Sequence, residues 1–358
     1  MFFLVNFCGL AYNGQKPQKL SRGLIRGGCD VRADAVFEGG GVKGIGLVGA
    51  LYYAEKEGQV RWQSVAGTSA GAIVAALVAA GYSAGEIKEI MFGLDFNRIK
   101  DEGLLDQLSL PGKTLSLLLE KGIYEGQFIE SFMSGLLAQK GVRTFGDLKV
   151  PGETDPRYIY RLNVIASDIS RGRMLVLPRD IGYYGLNPDS FSVAGAVRMS
   201  MSIPVFYEPV TLDYVENGCP RRSFIVDGGI LSNFPVWLFD SAGAPQWPTF
   251  GFRLVDPGEG EPREIKNILD FLSATVSTMM EAHDARHVQE VNFRRTIAIP
   301  TLGVKTTEFG ITPERKEMIF TSGYNAAKKF FSTYSEQEYK ALHPSFRGTS
   351  AALLQDRD

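Results

Sequence analysis

The chain has 358 residues, 44% apolar and 22% charged, with a formal net charge of −2. These are globular values with ample material for a core, so disordered, collagen-like and coiled-coil classes are excluded. The 38 basic and 40 acidic residues nearly cancel, which gives no general attraction to nucleic acid. Histidine and cysteine number only 3 each, while 40 glycines exceed the ordinary share of about 7%.

Residues 1–32 read as an N-terminal leader or arm. The start, Met1-Phe2-Phe3-Leu4-Val5, is apolar but lacks the basic opening and small-residue cleavage site of a signal peptide. No run of 18 apolar residues is present, so no spanning helix is expected. Cys8, Cys29 and Cys219 are too scattered for a disulfide framework or a zinc cluster. A reducing, cytoplasmic setting follows as the expectation, with peripheral membrane contact allowed.

From residue 33 the pattern becomes regular. Residues 33–38 read as a buried strand closing on Gly39-Gly40-Gly41, and 42–57 as a helix. A second short strand spans 62–66, and an Ala/Val/Leu-rich helix spans 69–80. Ser83-Ala84-Gly85-Glu86 is a capping box opening another helix. Residues 95–124 mix leucines with charges and read as a cap over the following chemistry. A helix over 127–137 places Phe128, Phe132 and Leu136 on one face. Strands are expected at 158–166, 174–177, 224–226, 250–255 and 296–299, and helices at 192–201 and 264–290. Thr312-Pro313-Glu314 starts a last helix. The strand–turn–helix alternation predicts an α/β class with a mainly parallel sheet covered by helices. One large domain over 33–335 follows, with a polar tail at 336–358.

Gly67-Thr68-Ser69-Ala70-Gly71 lies between a strand and a small-residue helix, the setting in which G-x-S-x-G forms a nucleophile elbow. The helix start beside Ser69 favours an anion. Gly39, Gly40 and Gly41 leave bare backbone N–H groups suited to an oxyanion, and Lys43 adds charge. The same residues spell the dinucleotide fingerprint Gly39-x-Gly41-x-x-Gly44. The second strand, however, ends in Val65-Ala66-Gly67 without the acidic residue that would hold a ribose. Lys43 is followed by Gly44, which excludes a P-loop.

A nucleophilic serine needs a base. His283 and His287 fall within the 264–290 helical pattern, and His343 lies in the polar C-terminal segment. A triad histidine normally sits on a loop after a strand, so none is a good match. His283 and His287 also lack the intervening Glu of a zincin, and no metal is expected. Asp227 ends a strand and precedes Gly228-Gly229, at the sheet end where ligands bind. It is the preferred base. Asp168 also follows a strand and is ranked as structural.

Four pieces in this order resemble the patatin-like phospholipase family. They are Gly39-Gly40-Gly41-Val42-Lys43-Gly44, the elbow Gly67 to Gly71, Arg198-Met199-Ser200-Met201-Ser202-Ile203-Pro204, and Asp227-Gly228-Gly229. The pattern covers roughly residues 33–240. The resemblance implies a three-layer α/β/α sandwich, a Ser69–Asp227 dyad without histidine, and hydrolysis of phospholipid or other acyl-ester substrates without a cofactor. Glu38 stands where the family usually has Asp, and Lys43 where Arg is usual; Lys keeps the charge but loses the planar fork of donors. The competing expectations are a lipid-binding or effector-gated protein on the same fold, and a Ser-His-Asp esterase of small esters. A regulatory ligand or second subunit leaves no signature in the residues.

Overall fold

The computed structural model describes residues 31–96, 126–240, 245–257, 264–266, 271, 274–279 and 294–341. Most of the leader expected at 1–32, most of the cap expected at 95–124, most of the 264–290 helix and all three histidines lie outside these residues.

In chain order, β1 (Val31–Phe37) runs into a 3-10 turn (Gly41–Lys43) and helix α1 (Gly44–Lys56). Strand β2 (Val60–Thr68) leads into α2 (Ala70–Ala79), then α3 (Ala84–Gly93). After α4 (Gln127–Gln139) come β3 (Leu162–Asp168), β4 (Arg173–Leu177) and α5 (Val193–Ser200). Then follow β5 (Val210–Glu216), β6 (Cys219–Asp227), β7 (Thr249–Val255), β8 (Thr296–Pro300) and α6 (Pro313–Thr333).

Local chemistry accounts for several boundaries. Ser83 and Glu86 close the expected capping box on α3. Thr312 caps α6 by accepting from Arg315 N–H, with Pro313 in the first turn, where its missing donor costs nothing. Helix α4 forms as expected but buries Ile129, Met133 and Leu137; the Phe128, Phe132, Leu136 stripe lies only half-buried beside it. The sequence reading missed β5. Asn217 and Gly218, both at positive φ, form the two-residue turn that folds β5 back onto β6.

The eight strands form one sheet. Strands β3, β2, β1, β7 and β8 are parallel neighbours in that order. Strands β4 and β6 pair antiparallel with β3, and β5 antiparallel with β6, so the mainly parallel sheet carries an antiparallel edge. One sheet face, with Ala33, Ala35 and Phe37 of β1, shares the main core with α1, α2, α5 and α6. Phe37 stacks on Phe252 of β7 with ring centroids 4.7 Å apart. The other face, with Val36, Ala66 and Ile165, packs under Phe234, Val236, Trp237, Leu238 and Phe239, part of which is a 3-10 helix. The chain is thus a mixed α/β protein with a central sheet layered between helical segments.

Register along β3 positions the site. Val164 and Ile165 face Gly67 and Thr68 of β2, whereas Ala166, Ser167 and Asp168 face Asp227, Val226 and Ile225 of β6. Residues 164–168 also pair with β4 on the opposite edge. Strands β2 and β6 therefore occupy the same edge of β3 in succession and abut end to end.

Candidate active site

The serine sits at the first of those ends. Ser69 follows the last residue of β2 and caps α2, with φ 53° and ψ −125°, a conformation that a residue with a side chain adopts only under strain. Its surroundings hold it there. The Ser69 N–H donates to Ser200 Oγ at 2.8 Å, and Thr68 Oγ1 donates to the Ser232 carbonyl at 3.1 Å. A Cβ on Gly67 would lie 2.3 Å from the Gly71 carbonyl oxygen, and one on Gly71 would lie 2.3 Å from that of Phe37. Both elbow glycines are sterically required, because strand and helix approach more closely than any side chain allows. Ser69 is buried, and the first two N–H groups of α2, on Ala70 and Gly71, have no partner among the described residues.

Asp227 ends the abutting strand. Its N–H donates to the Ser202 carbonyl at 2.9 Å, and its Oδ1 accepts from Gly229 N–H at 2.8 Å. A Cβ on Gly228 would meet the Ile165 carbonyl oxygen at 2.3 Å, so Asp-Gly-Gly keeps the turn tight against β3. The carboxyl is wholly buried, and Oδ2 lacks a hydrogen bond of good geometry. Burial raises its pKa to about 7, against the opposing pull of the nearby Ser69 hydroxyl and the Gly229 N–H. A carboxyl poised near neutrality beside a strained serine can take up and return a proton.

The glycine loop supplies the third side. A Cβ on Gly39 would lie 3.1 Å from Ser69 Cβ, which places the loop directly against the serine. Not every amide there is free. Gly39 N–H donates to the Asn233 carbonyl at 3.2 Å, Val42 N–H to Thr306 and Lys43 N–H to Gly40. The N–H groups of Gly40 and Gly41 have no partner among the described residues. Of the three glycine amides expected to be bare, the Gly39 N–H is thus engaged. The Lys43 ammonium is paired with Asp256 Oδ2 at 3.1 Å, an engagement the sequence reading did not anticipate. Glu38, the other departure from the family pattern, accepts from Leu254 N–H and lies 3.9 Å from Arg253 Nε. Both departures thus tie the loop to the end of β7.

Asp168 is buried. Its Oδ1 accepts from Ser170 and Arg171 N–H, and its Oδ2 from the Tyr184 hydroxyl at 2.6 Å. It shapes the β3–β4 turn. Sequence reasoning gave no role to Ser200 and missed Asn233. Ser200 lies within the Arg198-Met199-Ser200-Met201-Ser202-Ile203-Pro204 run, but only tertiary contacts assign either residue a task. Among the described residues no cluster of three metal-ligating side chains occurs, and no helix is long and apolar enough to cross a membrane.

Comparison with known proteins adds sequence kinship. The family model described as Patatin-like phospholipase matches residues 35–240. The chain is 41% identical over 308 residues to the uncharacterized protein YqhO of Bacillus subtilis, covering 84% of this chain and 99% of that protein. It is 27% identical over 267 residues to an uncharacterized NTE family protein of Mycobacterium tuberculosis, covering 70% of this chain and 37% of that one. Among solved structures, VipD from Legionella pneumophila aligns with TM-score 0.49 and 17% identity, covering 84% of this chain and 67% of that chain.

Proposed function

The chain belongs to the patatin-like phospholipase family, a family of lipid acyl hydrolases, and from that premise we propose that it cleaves lipid acyl esters through a Ser69–Asp227 dyad. The observation that carries this reading is a strained, buried Ser69 whose side chain interacts with the wholly buried carboxyl of Asp227.

In the proposed reaction Asp227 accepts the Ser69 proton as Oγ attacks the ester carbonyl carbon. The carbonyl electron pair moves onto oxygen, where the free N–H groups of Gly40 and Gly41, with Ala70 at the helix start, stabilise it. As the intermediate collapses, the C–O bond to the alcohol breaks and the alcohol departs with the proton from Asp227. Water then attacks the acyl-enzyme and gives its proton to Asp227. Collapse releases the acid and returns a proton to Ser69. Lys43 and Glu38 act at a distance, by holding the loop to β7. The catalytic unit spans residues 33–335, and contact with a bilayer is peripheral.

The test is a hydrolysis panel of phospholipids, lysophospholipids and neutral acyl esters, with products identified by mass. Wild type is compared with Ser69→Ala and Asp227→Asn. Release of free fatty acid by wild type alone supports the proposal; equal release by either variant overturns it.

A further inference from the structure

Residues 227–233 touch every part of the site. Asp227 begins the segment, and a tight turn follows, with Leu231 and Ser232 N–H both donating to the Gly228 carbonyl. The Ser232 carbonyl then receives the Thr68 hydroxyl from the elbow. Asn233, nine-tenths buried, meets the glycine loop. Farther along, Asp240 is held by the buried Arg295, with Nη2 at 3.0 Å from Oδ2. The stretch from Asp227 to Asp240 is therefore pinned at both ends.

Asn233 grips one residue, Gly39, from three directions. Its carbonyl accepts Gly39 N–H at 3.2 Å, and its Nδ2 donates to the Gly39 carbonyl at 3.3 Å. Its Oδ1, buried without a hydrogen bond, lies 2.3 Å from where a Gly39 Cβ would stand, so it rests against the Cα hydrogen. Both polar groups of Gly39 are thereby satisfied internally, and the two amides that follow are left over.

We propose that Asn233 is a positioning residue for the reaction inferred above, holding Gly39 so that the Gly40 and Gly41 amides stay aimed at the developing oxyanion beside Ser69. The proposal rests on the acyl-hydrolase reading. Asparagine suits the task because it offers a donor to the Gly39 carbonyl without a charge. Aspartate has the same shape but would set a carboxylate against that carbonyl, and alanine would leave it unpaired in a buried setting. Loss of the grip lets the loop drift and costs the transition state its preorganised donors, while ground-state binding of the substrate is untouched.

The experiment compares wild type, Asn233→Ala and Asn233→Asp on a short p-nitrophenyl ester. Fold is verified by melting temperature and near-ultraviolet circular dichroism. The expected result is a fall in kcat of roughly 10- to 1000-fold with KM nearly unchanged. Affinity for a trifluoromethyl ketone, which forms an oxyanion on Ser69, falls in parallel, while affinity for a non-hydrolysable ether analogue stays constant. If the alanine variant does not fold, the aspartate variant carries the test. Unchanged kcat in a folded variant overturns the proposal, as does a loss confined to KM with ketone affinity preserved. Wild type that neither hydrolyses any acyl ester nor labels at Ser69 with a fluorophosphonate overturns the acyl-hydrolase reading itself, a distinct outcome.

Discussion

Thr68 and Asp227 sit opposite adjacent residues of one strand, Ile165 and Ala166, along the same edge of β3. Two strands far apart in sequence end at one point, and the proposed dyad sits at that seam. Ser69 is the residue after the first strand's end, and Asp227 is the last residue of the second.

The seam predicts the effect of removing either partner. Ser69→Ala should lower acyl-ester hydrolysis by roughly 10⁴-fold or more, and Asp227→Asn by a comparable factor. Both proteins should keep the wild-type circular dichroism spectrum. Initial rates on a soluble ester measure this directly, and a fluorophosphonate should label Asp227→Asn slowly and Ser69→Ala not at all.

Activity should depend on pH through Asp227. With its pKa raised to about 7, the carboxyl is protonated and unable to act as base at pH 5 to 6, so kcat/KM should rise toward a plateau above neutrality. Stability should move the other way. The native carboxyl binds a proton up to about pH 7, while the unfolded one releases it near its ordinary 3.8. Stability therefore falls as pH rises through that window, and the loss is complete once both states are ionised. Asp34, buried and likewise raised to about 7 by desolvation, contributes in the same direction but lies apart from the reaction. Urea unfolding from pH 4 to 8 should show a shallower slope in either Asp→Asn variant. Only Asp227→Asn should abolish the activity profile; an Asp34→Asn enzyme with a displaced profile would contradict the assignment.

The elbow glycines should tolerate nothing larger. Gly67→Ala and Gly71→Ala each place a Cβ 2.3 Å from a backbone oxygen, and each should destabilise by about 3 kcal/mol or more. Gly135→Ala is the contrasting control. This exposed glycine in α4 has open space around its Cβ position, and its substitution should stabilise by about 0.5–1 kcal/mol. Chemical denaturation of the three proteins reads out the difference.

Ser200→Ala removes the acceptor for the Ser69 N–H and leaves that buried donor unpaired. The expected cost is about 1–3 kcal/mol in stability, with a drop in kcat because the strained elbow relaxes. Lys43→Met should be mild by comparison. Its partly exposed pair with Asp256 is worth roughly 0–1 kcal/mol, and activity should fall less than about tenfold. A loss as large as that of Ser69→Ala would place the ammonium in the reaction.

Much of the site was legible because its signals are local. A glycine on each side of Ser69 and one directly after Asp227 announce close backbone approach, and the structure gives Gly67, Gly71 and Gly228 each a contact. Other features depend on partners distant in sequence. Nothing in Gly39-Gly40-Gly41 says that Asn233 consumes the first amide and spares the next two. Nothing in the Arg198–Ser202 region says that one hydroxyl holds the serine backbone. The β5–β6 hairpin was readable from Asn217-Gly218 and from Val210, Leu212 and Tyr214 alternating with Thr211 and Asp213, but a half-buried alternating strand lacks the continuous apolar run that marks a fully buried one. In α4 the apolar residues outnumber those the core admits, so two neighbouring stripes compete and packing selects Ile129, Met133 and Leu137.

The antiparallel seating of β6 also makes activity a gauge of alignment. Because neighbouring residues along a strand point to opposite faces, a slip of one residue would swing the Asp227 carboxyl to the far side of the sheet. A slip of two would present Ile225 or Gly229 opposite Ala166 instead. No misaligned species holds a carboxyl at the serine, so recovery of hydrolysis after dilution from denaturant would time the last correct docking of β6 rather than the collapse of the core.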